Sequence, residues 1–406
     1  MTAGPTEREL LLDVLLTDHG SAGPYEAFRR LRETQPVLVT RSGVLVLSRY
    51  DDCAAALRNR SLGKADESLG FGLSEIPEEL QRQAMHRFRR TMLFRNPPDH
   101  HRLRRLVADV FTPRHIDELR GRVVTQIRDL IDVIEDQGSA DIISDLALPL
   151  PVNVIGDLLG VPVTDRAVAA PLVRALVASL EPSADAAALT AACEAEDQLA
   201  TYFTDLLAAK RAHPDDDLLS RLAVAHGDDV LDDDECVGTA ILLFAAGFET
   251  TTNLIGNGVA ALLAHPSQMD LLRARPDLAS NAVEELLRYD SPVQTNGRTV
   301  LEPTRVAGVD LDPGQVVLTL LGAANRDPDR FCDPDSLDIT RTGTPPLSFG
   351  AGIHFCLGAP LARLEGAVLF PLLTARFPGL RLVEQPRWRT GLSFRGLSSL
   401  KVVTGC

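Results

Sequence analysis

Cys356 stands in the stretch Phe349-Gly350-Ala351-Gly352-Ile353-His354-Phe355-Cys356-Leu357-Gly358, with Gly350, Gly352 and Gly358 around it. Glycine allows a tight backbone and the close approach of a flat ligand. A run with helical texture, residues 358 to 375, follows. A cysteine just ahead of a helix N-terminus meets the positive end of the dipole and nearby amide donors, and both favour thiolate over thiol. Thiolate is the form that binds iron and pushes electron density toward bound oxygen. The bland alternative is an inert cysteine beside a glycine-rich turn. Most of the other cysteines, at 53, 193, 236, 332 and 406, are expected to be of that buried kind. No two stand at Cys-x-x-Cys spacing, which leaves out zinc and dithiol redox motifs. Their spread suits a reducing cytoplasm.

Three further stretches carry groups that could do chemistry. In Ala246-Gly247-Phe248-Glu249-Thr250-Thr251 a glycine, an acid and an alcohol interrupt an apolar helical run. Gly247 costs such a helix ~1 kcal/mol relative to alanine and would open space against a ligand. Thr250 can turn its hydroxyl to the carbonyl four residues back or donate outward. In Glu284-Glu285-Leu286-Leu287-Arg288, Glu285 and Arg288 share a helical face. As an ordinary surface pair they would contribute only ~0–1 kcal/mol. In Asn96-Pro97-Pro98-Asp99-His100-His101-Arg102-Leu103-Arg104-Arg105, His100 with Arg104 and His101 with Arg105 have the same four-residue spacing. Either pair could form a solvated basic face, or present arginine to a carboxylate.

The elements that must position these groups are mostly helical. Val37-Leu38-Val39 and Val44-Leu45-Val46-Leu47 flank a Ser42-Gly43 turn and predict a hairpin. Asp51 is placed to cap a short helix over 52–58. Residues 59–80, rich in Gly and Ser, predict a loop of the kind that carries binding function. From 97 to 214 at least five helices fit, punctuated by Pro113, Gly138, Pro151, Pro162, Pro171 and Pro182. The longest helical pattern, 232–264, opens on acidic residues and is followed by Pro266. It would run roughly 50 Å, so it must cross a core. Residues 300–320 and 380–403 have strand-and-turn texture. With no internal repeat or linker, the pattern predicts one mostly helical domain, 1–406, with small sheets at its margins.

Composition bounds the class. The chain has 406 residues, 45% of them apolar, and a net charge of −15. That is enough for a large core, and the charge argues against nucleic-acid binding. The first eighteen residues lack the pattern of a signal peptide, and no run of ~20 apolar residues offers a membrane anchor. A soluble cytoplasmic protein, taken as a monomer, is expected. The dominance of arginine over lysine hints at a GC-rich bacterial genome.

The Cys356 loop resembles the haem-binding loop of the cytochrome P-450 family, Phe-Gly-x-Gly-x-His/Arg-x-Cys-x-Gly, at every defining position. The resemblance covers about 25–406, leaving 1–24 as an N-terminal segment. It is closest to soluble bacterial members that tailor secondary metabolites; Ser291-Pro292-Val293-Gln294, Asn325-Arg326-Asp327-Pro328 and Arg395-Gly396-Leu397 strengthen it. It implies an α+β fold, mainly α with small β-sheets: a triangular helical domain around one buried haem b, with O2 as co-substrate. Cys356 would be the iron ligand. Phe349, Gly350 and Gly247 would lie against the cofactor, and His100, Arg104, Arg298 and His354 would hold its propionates. Thr250 would hydrogen-bond dioxygen and Glu249 would feed protons from solvent. Glu285 and Arg288 would be a structural pair behind the haem, with Ser336 standing where a third, basic partner is commoner. Asn96 stands where aspartate is common.

The implied reaction is hydroxylation or epoxidation of a bulky hydrophobic natural product, such as a macrolide, polyketide or peptide-like scaffold. Phe248, Val293, Gln294, Phe394 and the loop at 59–95 would line its pocket. No flavin or iron–sulfur motif is present, so electrons would come from a ferredoxin and its reductase. The arginine-dense run 87–105 offers a docking face for an acidic ferredoxin. The rivals are oxidative coupling or C–C cleavage on the same fold, a haem sensor without turnover, and a helical scaffold with a structural Cys356.

Overall fold

The computed structural model describes residues 23–64, 76–84, 86–224 and 231–405. Most of the 1–24 segment, part of the 59–80 loop and Cys406 therefore lie outside the described residues. The fold is mainly helical with small sheets, as expected. The chain packs as two compact units. Among the described residues, one comprises residues 23–63, Arg122–Ala147 and residues 250–405; the other comprises those of Lys64–Gly121 and Leu148–Glu249.

In the first unit the predicted hairpin forms, with Val37 opposite Leu47 and Val39 opposite Leu45. Leu45–Leu47 then pairs in parallel with Val316–Leu320, which pairs antiparallel with Thr295–Val300. Leu62–Gly63 closes the edge of this five-stranded sheet. Its apolar side chains Leu45, Leu47 and Val317 pack with Leu57 and Phe331. Cys53 joins that core, where burial pushes its thiol well up, so it is inert. The short helix Tyr50–Arg58 begins two residues before the expected start, so Asp51 lies in its first turn and is not its cap. The Tyr50 N–H donates at 2.8 Å to Asp327.

The second unit is helical. Asp99–Ala108, Pro149–Leu159, Val163–Ala178 and Ala186–Ala212 fall within the expected span. Pro171 does not end a helix; it lies inside Val163–Ala178. The long helix, Asp233–Ala264, belongs to this unit up to Glu249. Its start is a reciprocal cap: the Glu235 N–H donates to the Asp232 carboxylate (2.7 Å) and the Asp232 N–H to that of Glu235 (3.2 Å). Phe203, Phe244 and Phe248 pack edge to face, with ring centroids 6.1 and 5.5 Å apart. Among the described residues no single helix is long and apolar enough to cross a membrane.

Candidate haem site

The Cys356 loop is built by its glycines. Gly350 and Gly352 have φ of 69° and 73°, the left-handed region that side chains avoid. At Gly352 a Cβ would also lie 2.3 Å from the Leu57 carbonyl. The loop closes when the Cys356 N–H donates to the Phe349 carbonyl at 2.9 Å. Cys356 is exposed, three residues ahead of the helix Ala359–Arg376. His354 lies in the same turn, half-buried. The Phe349 ring carries the Arg363 guanidinium at 4.5 Å.

Arg298 belongs to the same unit. It is 3% exposed, and among the described residues no carboxylate pairs with it. Its guanidinium donates to Asn296 and to the Gly297 carbonyl, and burial pulls it down to about 10. A buried guanidinium in that state suits an incoming anion, and haem carries two carboxylates.

In the second unit the structure separates the two basic pairs. His100 is buried and Arg104 half-buried, whereas His101 and Arg105 are exposed. His100 and Arg104 are therefore the inward stripe. Burial, then the neighbouring Arg104 and His101, lower the His100 imidazole from 6.5 to about 4. The haem-free folded chain thus refuses a proton that the unfolded chain accepts. His100 should contribute stability above pH 6.5 that is lost as pH falls toward 4. His100→Gln should flatten that part of the Tm-against-pH curve of the haem-free chain. Haem loading should flatten it too, because carboxylates beside His100 favour its charged form. An unchanged slope in both would rule out this placement. Asn96 also has a use that aspartate could not match: its amide both accepts from the Lys64 N–H and donates to the Lys64 carbonyl, at 2.8 and 2.7 Å.

On the long helix, Ala246 is exposed and Gly247 and Thr250 half-buried, although Ile241 to Ala245 are all buried. Thr251 and Thr252 are buried as well, so Thr250 alone of the three threonines stands on the open face. Ala246, four residues before it, is exposed on the same helix face and was not weighed from the sequence; the spacing was the available signal. Glu249, next to Thr250 in the chain, is buried. It is 2% exposed and lies 3.8 Å from the guanidinium of Arg174, whose side chain reaches solvent.

Several expectations need correcting. At Gly247 the missing side chain has a second use beside any cofactor: a Cβ there would run into the Ile155 side chain, so the glycine lets two helices approach. Phe248 is fully buried against Phe244, not free to touch a substrate. Gln294 is buried too, donating to the Ser291 carbonyl (2.7 Å) and the Tyr25 hydroxyl (3.1 Å). Val293, the residue before it, packs against the core of the five-stranded sheet. It is half-buried and bridges to Phe394, so these two do come together. The 87–105 run is not a free basic face. Arg87, Arg90 and Arg102 pair with Asp197, Asp232, Asp234 and Glu235, and Arg102 grips Glu235 with two nitrogens. Of the 59–95 loop, residues 65–75 and 85 lie outside the described residues.

Glu285 and Arg288 are not a surface pair. Both side chains are 1% exposed, and the fork closes at 2.7 and 2.8 Å. The third partner is Arg341, which donates to Glu285 at 3.2 Å, whereas Ser336 gives only its carbonyl to Arg288. The stretch Asp338-Ile339-Thr340-Arg341 held that arginine in view, five residues beyond the position weighed.

Comparison with known proteins fits this geometry. The cytochrome P450 family model matches residues 185–383. Cytochrome P450 107B1 of Saccharopolyspora erythraea is 39% identical over the whole of both chains. The chain belongs to the cytochrome P450 family. The 6-deoxyerythronolide B hydroxylase of the same organism is 37% identical, with 93% of this chain and 95% of that one covered. The solved structure of P450BioI in complex with a fatty-acyl-loaded acyl carrier protein matches with a TM-score of 0.86 at 36% identity, covering 94% and 98% of the two chains. This P450 is a haem-dependent monooxygenase that uses dioxygen and acts on a small molecule. When bound, the haem supplies the reductive activation of oxygen.

Proposed function

We propose that this P450 hydroxylates or epoxidises a bulky hydrophobic natural product of the macrolide or polyketide kind, with Cys356 as the iron ligand. The observation that carries the ligand assignment is an exposed Cys356 in the same unit as Arg298, a buried guanidinium with no carboxylate partner among the described residues. Arg298, His354, His100 and Arg104 hold the two propionates. Phe349 and Gly350 shape the loop around the ligand.

Thr250 presents its hydroxyl to the oxygen. Glu249, beside the half-exposed Arg174, receives protons from the solvent side and passes them to the helix face that bears Thr250. Val293 and Phe394, joined by a backbone bridge, are the apolar residues assigned to the substrate side. Electrons come from a ferredoxin and its reductase, since the chain has no redox motif other than the Cys356 loop.

The substrate class is supported by the 6-deoxyerythronolide B hydroxylase likeness. Titration of the ferric protein with a macrolactone aglycone should give a saturable low-spin to high-spin change. A free long-chain fatty acid should need at least ~10-fold more ligand, which is ~1.4 kcal/mol. If acyl chains on a carrier protein gave the spin change and the macrolactone did not, the substrate would be a carrier-bound acyl group and the macrolide reading would fall.

A further inference from the structure

The tripeptide Asn325-Arg326-Asp327 marks the chain's likeness to its family, yet none of the roles above uses it. All three residues are buried, and each holds a different part of the first unit. The Arg326 guanidinium donates twice to the Tyr289 carbonyl and stacks on the Tyr25 ring at 3.6 Å. Asp327 caps the helix Tyr50–Arg58, whose Leu57 carbonyl is the atom that leaves room only for glycine at 352. Asn325 reaches Leu347 and Ser348, the two residues that lead into the Cys356 loop.

Both polar atoms of the Asn325 amide have partners. Its Oδ1 accepts from the Leu347 N–H at 2.7 Å, and its Nδ2 donates to the Ser348 hydroxyl at 2.9 Å. That hydroxyl donates onward to the Leu287 carbonyl at 2.8 Å. The Leu347 N–H can only donate, so the amide's orientation follows from its partners. The Asn325 carbonyl accepts from Arg288 at 3.0 Å. Both bonds that shape the loop start beside this anchor. Leu347 accepts from the Gly350 N–H at 2.8 Å, and Phe349, next to Ser348, accepts from the Cys356 N–H at 2.9 Å.

We propose that Asn325 is a positioning residue for the iron–sulfur bond: its amide holds residues 347 and 348, and through the Phe349 carbonyl it sets where the Cys356 backbone lies. The inference rests on Cys356 being the iron ligand. A group that orients a metal ligand from behind commonly matters 10–100-fold for metal binding or activity, and a ligand must be held to within about 0.5 Å. Asparagine is the only residue of its size that offers one donor and one acceptor here. An aspartate would accept from both neighbours, leave the Leu287 carbonyl without the serine proton, and bury a charge. An alanine would strand the Leu347 N–H.

The test uses Asn325→Ala, Asn325→Asp and Ser348→Ala beside wild type and Cys356→Ser. Two quantities are read: the fraction of reduced, carbon-monoxide-bound protein in the thiolate band, and the alkylation rate of Cys356 in the haem-free full chain, followed by peptide mass spectrometry. Both Asn325 variants should lose several-fold of the thiolate band and speed alkylation by roughly 10-fold. Ser348→Ala should move both readouts the same way by less. If the variants only lower Tm while band fraction and alkylation rate stay at wild-type values, Asn325 is structural alone and the proposal is wrong. Ser348→Ala removes one hydroxyl and leaves the Leu347 bond in place, so it decides the matter if Asn325→Ala does not fold. A wild-type protein without the thiolate band would instead overturn the Cys356 reading.

Discussion

Cys356→Ser is expected to abolish monooxygenation and the red-shifted Soret band of the reduced, carbon-monoxide-bound protein. Serine at Cys53, Cys193, Cys236, Cys332 or Cys406 should leave both in place. A serine hydroxyl does not ionise near neutral pH and so offers iron neither the charge nor the electron donation of a thiolate. The other cysteines differ from Cys356 in ways that the structure makes concrete. Cys53 is fully buried, and desolvation pushes its thiol up. Burial does the same to Cys236, up to about 11. Neither is in a state to ligate metal at neutral pH. Cys332 is exposed, but it has no glycine loop and does not lead into a helix. The absorbance of the purified variants settles the prediction. Retention of the band in Cys356→Ser, or its loss on replacing Cys53 or Cys236, would reject it.

What could be read in the sequence is what local geometry sets. Thr250 shares a helix face with Ala246, and His100 with Arg104, because both pairs are four residues apart. The glycines of the Cys356 loop were visible as a need for unusual backbone. What could not be read depends on distant chain. Gly247 is a glycine because Ile155, far earlier in the sequence, packs onto it. Asp327 caps a helix that begins at Tyr50. Arg341 reaches Glu285 across 56 residues. One miss had a local signal. Phe244 and Phe248 stand at core spacing along one helix, which already favoured packing over substrate contact.

The same long-range logic makes Arg288 the most consequential structural residue here. Its guanidinium donates to both Glu285 oxygens and to the carbonyls of Asn325, Pro334 (2.7 Å) and Ser336 (3.0 Å). Glu285 in turn accepts from the Asp338 N–H at 2.9 Å and from Arg341. Arg288→Ala would leave the buried Glu285 carboxylate to Arg341 and the Asp338 N–H alone and take the donor from three carbonyls together. Removing one partner of a buried pair typically costs about 3–5 kcal/mol, a large part of the ~5–15 kcal/mol that holds a domain folded. Arg288→Lys should fare little better, because an ammonium has three donors on one atom and cannot reproduce the planar fork. Arg341→Ala should cost less, roughly 1–3 kcal/mol, since that side chain is partly exposed and Glu285 keeps Arg288. Urea unfolding of the three haem-free variants, followed by circular dichroism, should rank Arg288→Ala as least stable and Arg341→Ala as nearest wild type. The Arg288 variants should also accept haem poorly, because the carbonyl of Asn325, the anchor of the Cys356 loop, loses its donor. An Arg288→Lys protein that unfolds at the wild-type urea concentration would show that the fork geometry does not hold this side of the fold.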